Sequence, residues 1–556
     1  MSGFPGAVNS FNDYKSASEA IRGEQWHRSS VERRRFGADG TKYYSRYMPR
    51  YAAVDIGSNS IRMQAAEVLP GQPVRILASQ RQVTRLGSGV FSMGNITPDA
   101  MKAACAALAA MVEAYRPLDV AGVRAVATSA VRDASNQQEF VDRATAVLGT
   151  PVEIISGQEE ARLIHLGVQA RWPHPNQRIL IVDLGGGSAE IILADRGSIA
   201  TAFSKPLGAV RLTEVFLKSD PPSSRELHRM HGYIDEKLSA ARQRIGTEPF
   251  DRMIATSASA AALVSVVHRV PRGRREAADR LRATVSQVRA VYEKLSEKGL
   301  AGRRKVQGIG PRRAEIIVAG AAVFLRALEN FRRPSLYYSA AGVRDGIIAD
   351  LATRGVGRER ARLSREQRAV VEQMARRYAV AVPHARKVSQ LAGVLFDSLQ
   401  PLHRLPAEMG KLLEASAYLH DAGHYISDMS HHKHSFYLVA NSDMPGFTRS
   451  ERNLIAMLCR YHRKSMPTVQ HDAFQSLNPE GRRAVMMLAP LLRIADGLDR
   501  SHEQRVESLD CAIRNDAVVI TLRSGADTDI EQWAGERVAD VFREVYARPL
   551  VLARAK

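Results

Sequence analysis

The spacing of apolar residues changes along the chain and predicts two kinds of structure. In the first part, short apolar runs of strand character alternate with helical stretches such as the alanine-rich Pro98–Tyr115, which is typical of α/β folds. From 353 to 508 the apolar residues recur with helical spacing and few β-branched runs, which predicts an all-α region. The last part alternates at 516–522 and is helical in pattern at 530–546, which predicts a small α/β appendage.

Residues 1–48 are polar, show no sustained apolar period, and carry a basic cluster at Arg33, Arg34 and Arg35. Such a segment has too little apolar surface to bury, so we expect a flexible basic tail. An arm that contacts phosphate groups is the alternative that its charge leaves open.

The clearest internal feature is a repeat. The segment YAAVDIGSNS at 51–60 is echoed by ILIVDLGGGS at 179–188, and a second strand-like run follows each copy, at 61–68 and 189–193. An apolar run ending in Val-Asp, a turn of small residues and a second run predict a β-hairpin. Two copies at domain-sized spacing predict two similar lobes that face each other.

Composition narrows the class of protein. The chain has 556 residues, 45% of them apolar and 25% charged, which fits a multidomain globular protein and excludes disorder throughout, collagen and a coiled coil. No run reaches the roughly 18 apolar residues that a membrane span needs, and the first residues show no secretory pattern. The cysteines Cys105, Cys459 and Cys511 are far apart and form no CxxC pair, so we expect a reducing, cytoplasmic compartment.

Net charge is the most informative bulk property. A formal charge of +21 attracts polyanions such as nucleic acid, an anionic membrane or a phosphate polymer, although a protein that is simply basic also fits. Aromatic residues make up only 6% of the chain and do not interleave with basic residues. Recognition of nucleic-acid bases is therefore not expected.

The two repeated loops carry the first candidate chemistry. Their glycines let the backbone approach a ligand closely and turn N–H groups toward an anion. Asp55 and Asp183 stand at strand ends beside the loops, where carboxylates are placed to hold Mg²⁺. The candidate phosphate-binding residues of the loops are Gly57, Ser58, Asn59, Ser60, Gly185, Gly186, Gly187 and Ser188.

Further segments sharpen this interpretation. They are, in chain order, ATSAVRDASN at 127–136, ISGQEEARL at 155–163, VDLGGGSAE at 182–190, GPRRAEIIVAG at 310–320 and GVRDG at 342–346. Together they resemble the exopolyphosphatase/guanosine-pentaphosphatase (Ppx/GppA) family, and the duplicated lobes are similar to the actin and sugar-kinase superfamily. The resemblance implies two actin-like (ribonuclease-H-like) α/β lobes with the active site in the cleft between them.

The resemblance also implies roles for single residues. Glu160, the second glutamate of SGQEEA, falls on the catalytic glutamate that positions and deprotonates the attacking water. Glu159 is then a structural partner, because neighbours on a helix point about 100° apart and only one can face the cleft. The implied ligands of Mg²⁺ or Mn²⁺ are Asp55, Asp183 and Glu190, and Glu190 also serves catalysis. The implied substrate-binding residues outside the loops are Arg62, Arg132, Gly208 and Arg313.

One turn departs from the family pattern. The family usually shows Gly-Thr/Ala-Ser-Gly-Thr where this chain has ATSASA at 255–260. Both glycines are alanine, so neither a positive φ nor a close backbone approach is expected there. Because related folds use this turn near a nucleoside, the departure disfavours a nucleotide ligand.

The helical region carries a second set of candidate ligands. Its members follow the order seen in the HD phosphohydrolase superfamily, where they bind a divalent metal: His384, His420, Asp421 and Asp496. His434 and His462 stand where binuclear members of that superfamily place two more histidines. Imidazoles with carboxylates suit Fe, Mn, Ni or Zn better than Mg²⁺, so the resemblance implies a transition metal. A structural bundle in which these groups only hydrogen-bond one another is the alternative.

The function that the resemblance implies is exopolyphosphatase: removal of terminal phosphate from inorganic polyphosphate by metal-assisted attack of water. The alternatives are a guanosine pentaphosphate 5′-phosphohydrolase, an ATP-binding sensor or kinase of the actin-like fold, and a non-catalytic polyphosphate-binding protein. The expected partners are polyphosphate, guanosine pentaphosphate and a second copy of the chain in a homodimer. The expected segments are the tail at 1–48, lobe I at 49–174, lobe II at 175–352, a helical HD-type domain at 353–508 and a small C-terminal domain at 509–556.

Overall fold

Both repeated segments fold as the hairpins that their sequence predicts, and each hairpin starts a β-sheet. The computed structural model describes residues 49–69, 72–246, 248–354 and 361–555, and the predicted tail at 1–48 lies outside them. Arg50–Ile56 pairs antiparallel with Ile61–Glu67, and Arg178–Leu184 pairs antiparallel with Ala189–Asp195. The small-residue loops of the two hairpins are therefore equivalent points of two similar sheets.

The first sheet has five strands, β1 Arg50–Ile56, β2 Ile61–Glu67, β3 Arg75–Gln82, β4 Gly122–Ala127 and β5 Val152–Ile154, in the order β3-β2-β1-β4-β5. The first three are antiparallel, and β4 and β5 continue parallel to β1. Its helices are α1 Val90–Met93, α2 Pro98–Tyr115, α3 Ser129–Asp133, α4 Gln137–Leu148 and α5 Gly157–Arg171, with a 3₁₀ turn at Arg116–Leu118. The predicted helix Pro98–Tyr115 is confirmed; proline occupies its first turn, and the Thr97 hydroxyl accepts the N–H of Ala100.

The second sheet has six strands, β6 Arg178–Leu184, β7 Ala189–Asp195, β8 Ser198–Lys205, β9 Arg252–Thr256, β10 Arg282–Thr284 and β11 Ser335–Tyr338, in the order β10-β11-β9-β6-β7-β8. It repeats the antiparallel triplet β6-β7-β8 followed by the parallel strand β9. Its helices are α6 Ala209–Phe216, α7 Ser224–Ile245, α8 Ser257–Val267, α9 Val285–Ser296, α10 Leu300–Arg304, α11 Ile317–Asn330 and α12 Val343–Thr353, with a 3₁₀ segment at Arg272–Ala278.

Helices α5 and α12 form a layer between the two sheets. Alternate residues of β1 and β6 turn toward this layer, because side chains alternate between the faces of a strand: Tyr51, Ala53, Ile179 and Ile181. The two helices approach very closely, since a Cβ on Gly346 of α12 would lie only 1.7 Å from the carbonyl oxygen of Leu163 in α5. The layer therefore fixes the start of α5 at the junction of the two lobes.

The rest of the described chain is mostly helical, as the sequence predicts. The helices are α13 Arg365–Arg377, α14 Val382–Ser398, α15 Gln400–His403, α16 Met409–Leu419, α17 His431–Ala440, α18 Arg449–Tyr461, α19 Asp472–Gln475 and α20 Pro479–Gly497, with a 3₁₀ turn at Ala422–Tyr425. Screening the helices of the described ranges for an apolar stretch of membrane-spanning length finds none.

A three-stranded sheet ends the chain. Its strands β12 Ser508–Arg514, β13 Ala517–Arg523 and β14 Leu550–Arg554 stand in the order β12-β13-β14, and helices α21 Asp529–Glu536 and α22 Ala539–Tyr546 connect the last two. The strand and helix patterns expected at 516–522 and 530–546 match β13 and the two helices. This sheet shares one hydrophobic core with the helical region: Leu488 and Leu492 belong to the same cluster as Ile520 and Phe542.

The close contact between α5 and α12 requires a residue without a side chain at position 346, and this requirement can be tested. We expect Gly346→Ala to lower the free energy of unfolding by about 1–3 kcal/mol, because the added methyl group meets backbone atoms that cannot move alone. Gly232 is the matched control: it is exposed within α7, with nothing within 4 Å of an added Cβ. Gly232→Ala should raise stability by about 0.5–1 kcal/mol. Chemical denaturation of both variants checks this, and equal unfolding midpoints would contradict it.

Candidate functional site

The two hairpin loops, 57–60 and 185–188, face each other across a cleft of about 230 Å³. A Cβ on Gly186 would lie 2.8 Å from Cβ of Ser58, so glycine lets the loops meet. Ser58 Oγ lies 3.1 Å from Ser129 Oγ at the start of α3. The predicted site residues that line the cleft are Asp55, Gly57, Ser58, Asn59, Ser60, Arg62, Glu160, Asp183, Gly185, Gly186, Ser188 and Arg313.

Four carboxylates from four elements lie close together at this cleft. Asp55 stands near the end of β1, and Asp183 of β6 is paired in register with Glu190 of β7. The fourth, Glu160, lies in the first turn of α5 and is 5% exposed. Glu160 Oε2 and Glu190 Oε2 are buried without a hydrogen-bond partner within the described ranges. Buried anionic oxygens without donors are costly, so this arrangement favours a bound cation.

Burial raises the pKa of each of these acids, and repulsion from a neighbouring acid adds to it in Glu160, Asp183 and Glu190. Burial, with Glu190 second, holds the pKa of Glu160 well above its ordinary value. Burial, with Asp183 second, raises the pKa of Glu190 to about 7. Burial also raises the pKa of Asp55 and of Asp183, although Arg62 opposes it. A hard divalent cation would relieve this repulsion, and the donor set of carboxylate oxygens fits Mg²⁺ or Mn²⁺.

Arg132, predicted from the family motif, lies against the candidate base. Its Nη1 is 3.5 Å from Glu160 Oε2 and donates to the carbonyl oxygen of Ile155 at 2.6 Å. The backbone contact fixes the guanidinium just outside hydrogen-bond geometry with the carboxylate. Arg132 therefore partly offsets the charge of Glu160 without occupying both of its oxygens.

The cleft also contains an arginine that sequence reasoning missed. Arg344, at the start of α12, lines the cleft and donates to the carbonyl oxygen of Met63. Burial, with Arg62 second, lowers the pKa of Arg344, so the two guanidinium groups share one region. Clustered guanidinium groups of this kind suit the oxygens of an anion. The motif GVRDG at 342–346 contained the signal, but one arginine in a motif does not show which way it points.

Gly187 and Gly208 support the second loop rather than line the cleft. A Cβ on Gly208 would lie 2.2 Å from the carbonyl carbon of Gly187, and one on Gly187 would lie 2.2 Å from Ser129 Oγ. The N–H groups of Ala209 and Val210 donate to the carbonyl oxygens of the loop at 3.1 and 2.8 Å. These two glycines thus hold the loop close to the start of α6, and their phosphate-binding role stays a prediction.

The expectation that the turn at 255–260 has no positive φ is wrong. Ser257 has a φ of 97°, although it is not glycine. Its hydroxyl accepts the N–H groups of Ser259 and Ala260 at 3.2 and 3.3 Å, which compensates part of the backbone strain. Thr256 donates to Asp183 Oδ1 from the same turn. The unusual backbone therefore persists beside a candidate metal ligand even without the glycines.

A second cluster of candidate ligands lies in the helical region. Four imidazoles there use Nδ1 to contact a nearby oxygen: His384 to Asp499 Oδ2, and His420, His431 and His462 to the carbonyl oxygens of Ala417, Asp428 and Cys459. A carbonyl oxygen only accepts, so Nδ1 of the last three carries the hydrogen and Nε2 is left as the coordinating nitrogen. Metal-binding histidines are oriented in this way.

Two carboxylates stand between these Nε2 atoms. Asp496 Oδ1 is 3.4 Å from both His384 Nε2 and His420 Nε2. Asp421 reaches in two directions: Oδ2 is 3.6 Å from His420 Nε2, and Oδ1 is 3.5 Å from His431 Nε2. Asp421 and Asp496 raise the pKa of His420 to about 9 although burial lowers it, so the site favours a cation.

Around Asp421 the structure places two histidines that were not predicted as ligands, His431 and His424, and it does not place His434 there. His431, and not His434, lies at Asp421, with its Nε2 3.5 Å from Asp421 Oδ1. His424, from the 3₁₀ turn after α16, places its Nε2 3.6 Å from Asp421 Oδ1. His462 is confirmed as a neighbour, with Nε2 at 3.8 Å from the same oxygen.

Helices α16 and α18 connect this histidine cluster to the lobes. His420 and His462 follow directly at their carboxyl ends. Lys411 and Glu451, near their amino ends, form an ion pair, and Glu451 also faces Arg354 of the lobe region at 3.9 Å. The histidine cluster is thus connected through α18 to Arg354, the residue that follows α12.

Comparison with known proteins gives the family. The model of the Ppx/GppA phosphatase family matches residues 65–354, and that of Ppx/GppA phosphatase, domain III, matches residues 366–532. An exopolyphosphatase-like protein of known structure shares 28% identity with a TM-score of 0.52, over 55% of this chain and 98% of that chain. An exopolyphosphatase from Cytophaga hutchinsonii shares 25% identity with a TM-score of 0.51 over the same proportions. A family member from Aquifex aeolicus shares 28% identity with a TM-score of 0.48, again over 55% and 98%.

These matches confirm the predicted actin-like α/β lobes and the resemblance that the motifs carried. The helical region corresponds to the family's domain III, and its relation to HD phosphohydrolases stays a prediction. Since the first family model alone covers more than half of the sequence, the chain belongs to the Ppx/GppA phosphatase family.

Proposed function

We propose that the protein is an exopolyphosphatase that hydrolyses the terminal phosphoanhydride bond of inorganic polyphosphate in the interlobe cleft. The observation that carries the proposal is the setting of Glu160, a buried carboxylate beside the acids of both loops, with a raised pKa and with no hydrogen bond to its Oε2 in the described structure. A group held in this way accepts a proton from a water molecule more readily than an ordinary carboxylate. Hydrolysis of a phosphoanhydride needs such a base together with cations at the phosphate oxygens.

The cations would come from two sources. Asp55, Asp183 and Glu190 would hold Mg²⁺ or Mn²⁺, which when bound would offset the charge of the phosphate oxygens. Arg62 and Arg344 line the same cleft and supply guanidinium groups for the remaining oxygens. A substrate with about one negative charge per phosphate also suits a chain of net charge +21.

Guanosine pentaphosphate is the second candidate substrate, and one observation favours it. The positive φ of Ser257 keeps an unusual turn on the wall of the cleft, where related folds place a nucleoside. The two substrates present the same terminal anhydride to the same acids, so both activities fit one site.

Substrate choice is tested by phosphate release from long-chain polyphosphate and from guanosine pentaphosphate at matched phosphate concentration. We expect the higher kcat/KM with polyphosphate, because the arginines that line the cleft, Arg62, Arg313 and Arg344, suit a chain of phosphate groups. A higher value with guanosine pentaphosphate would replace the first proposal by the second. Release from neither would contradict both.

Replacing the candidate base gives a direct prediction. We expect Glu160→Gln to lower kcat about 10²–10⁴-fold with little change in KM, since the amide keeps the shape but cannot take a proton. Glu139→Gln is the matched control, because Glu139 is an exposed acid on α4 that pairs with Arg143. Steady-state kinetics of both variants decide the matter. More than about a third of wild-type kcat in Glu160→Gln would show that Glu160 is not the base.

We further propose that the helical cluster binds a transition metal. Its support is the orientation of the imidazoles: His384 Nε2 and His420 Nε2 both face Asp496 Oδ1 at 3.4 Å, beyond ordinary hydrogen-bond length, in the described structure. A cluster held only by internal hydrogen bonds would not leave these atoms unsatisfied. Imidazole and carboxylate donors fit Fe, Mn, Ni or Zn.

Elemental analysis after metal-supplemented expression tests this second proposal. We expect at least one equivalent of transition metal in the wild type and its loss in the double variant His420→Ala/Asp421→Ala. His434→Ala is the matched control and should keep the metal, because Asp421 is faced by His431 instead. Absence of stoichiometric metal from the wild type would contradict the proposal, as would equal loss in the control.

A further inference from the structure

Two adjacent glutamates at the start of α5 are both buried, yet their surroundings are opposite. Glu159 is 4% exposed and Glu160 is 5% exposed. Glu160 faces the acids of the cleft, and Glu160 Oε2 has no hydrogen-bond partner in the described structure. Glu159 points about 100° away around the helix, as predicted from its sequence position, and faces a different set of groups.

The carboxylate of Glu159 accepts four hydrogen bonds, which fills its acceptor capacity. Arg162 binds both oxygens, at 2.8 and 2.9 Å, and Arg124 of β4 binds Oε1 at 3.0 Å. The fourth donor is the backbone N–H of Gly446, at 2.8 Å from Oε2. Three of these bonds come from the lobes, and the fourth comes from the helical region, at a point 287 residues further along the chain.

The contact between Gly446 of the helical region and Glu159 is held in place by the conformation of Gly446 and by Gln367. Gly446 has a φ of 90°, which turns its N–H toward Glu159 and which glycine adopts without strain. Gln367, near the start of α13, donates from Nε2 to the carbonyl oxygen of Gly446 at 2.8 Å. Its other side-chain atom, Oε1, accepts the N–H of Ser364 in the capping box of α13. Gln367 therefore ties the Gly446 peptide to the end of a helix.

The same two arginines join the lobes to α12 and α13. Arg124 and Arg162 both bind Asp350 of α12, at 2.9 and 2.7 Å, and Arg162 also binds Glu366 of α13 at 2.9 Å. The charges of this buried group are paired, so removing any one member leaves another without its partner.

Because Glu159 is next to Glu160 in the chain, this network also affects the position of Glu160. Glu159 and Glu160 lie in the first turn of α5, where backbone groups lack the full set of intrahelical hydrogen bonds. The Ser156 hydroxyl accepts the N–H of Glu159 at 3.2 Å, but the side-chain contacts of Glu159 are what hold this turn from the outside. The backbone that carries Glu160 is thus fixed through its neighbour.

We propose that Glu159 is a positioning residue for Glu160, and that the helical region takes part in the cleft reaction through the Gln367–Gly446–Glu159 contact. The kinetic part rests on the proposed function, in which Glu160 is the base. The structural part, that Gly446 and Gln367 restrain the first turn of α5, does not depend on the substrate.

Kinetics of matched variants test the role of Glu159 in the full chain. Glu159→Gln should lower kcat about 10–100-fold with KM within about twofold, because small displacements of a reacting group are costly. Glu153→Gln is its control: Glu153 binds the same Arg124 at 3.0 Å but has no bond to Glu159 or Gly446 in the described structure, and kcat should stay within about twofold. In the Glu160→Gln background, Glu159→Gln should add less than about a threefold loss. A further tenfold loss there, or a kcat for Glu159→Gln equal to that of Glu153→Gln, would overturn the proposal.

A second pair of variants tests the contribution of the helical region. Gln367→Glu keeps the acceptor that caps α13 but loses the donor to Gly446. Gln287→Glu makes the same change in the exposed capping box of α9, where no such contact exists among the described residues. Hydrogen–deuterium exchange of residues 157–166 should be about tenfold faster in Gln367→Glu and unchanged in Gln287→Glu, and kcat should fall only in the former.

Hydrogen–deuterium exchange distinguishes failure of the proposed function from failure of the proposed restraint on α5. If the wild type releases phosphate from neither substrate, the proposed function fails, and exchange alone decides whether the helical region restrains α5. Equal exchange of residues 157–166 in Gln367→Glu and wild type would overturn the proposal even if polyphosphate is hydrolysed. Faster exchange with unchanged kcat would overturn the link to the reaction.

Discussion

The cost of burying charge is the constraint on which this molecule depends. Carboxylates are taken out of water at three places: in the cleft, in the layer between the sheets and in the helical cluster. A buried carboxylate without a counter-charge is unstable, and the groups that offset its charge differ among the three places. Arg124 and Arg162 pair fully with Glu159 and Asp350 in the middle layer. In the cleft, Glu160 and Glu190 each keep one oxygen without a hydrogen-bond donor in the described structure, and these oxygens give the cleft its chemistry.

Duplication explains how a cleft of this kind arises. Each lobe provides a hairpin whose first strand ends beside a small-residue loop, and the two loops meet where Gly186 passes Ser58. A fold with one copy could place an acid beside a loop, but not two acids on opposite sides of a ligand. The helical layer then adds Glu160 from a third direction. The site is therefore built from equivalent points of two sheets and the start of one helix.

Much of this arrangement could be predicted from the sequence. The hairpins, the helix Pro98–Tyr115, the helical region and the opposite orientations of Glu159 and Glu160 follow from periodicity and helix geometry, which are local properties. The register that pairs Asp183 with Glu190 across the hairpin is local as well.

What could not be predicted depends on distant contacts or on the starting point of one helix. That His431 rather than His434 lies at Asp421 depends on how α17 packs, and the residue before this helix, Ser430, has a φ of 58° that no pattern indicated. Arg344 and Gly446 matter through partners far along the chain, which a single sequence does not reveal. Ser257 keeps a positive φ through hydroxyl contacts that replace the freedom of glycine.

The helices α16 and α18 have a consequence for how the chain tolerates insertions and deletions. An ion pair between Lys411 and Glu451 joins the two helices near their amino ends, and His420 and His462 follow at their carboxyl ends. One inserted residue would turn everything beyond it by about 100° and shift it by about 1.5 Å. Either the ion pair or the imidazole would then lose its place. The lengths of these two helices are accordingly fixed as strictly as the identities of the residues at their ends.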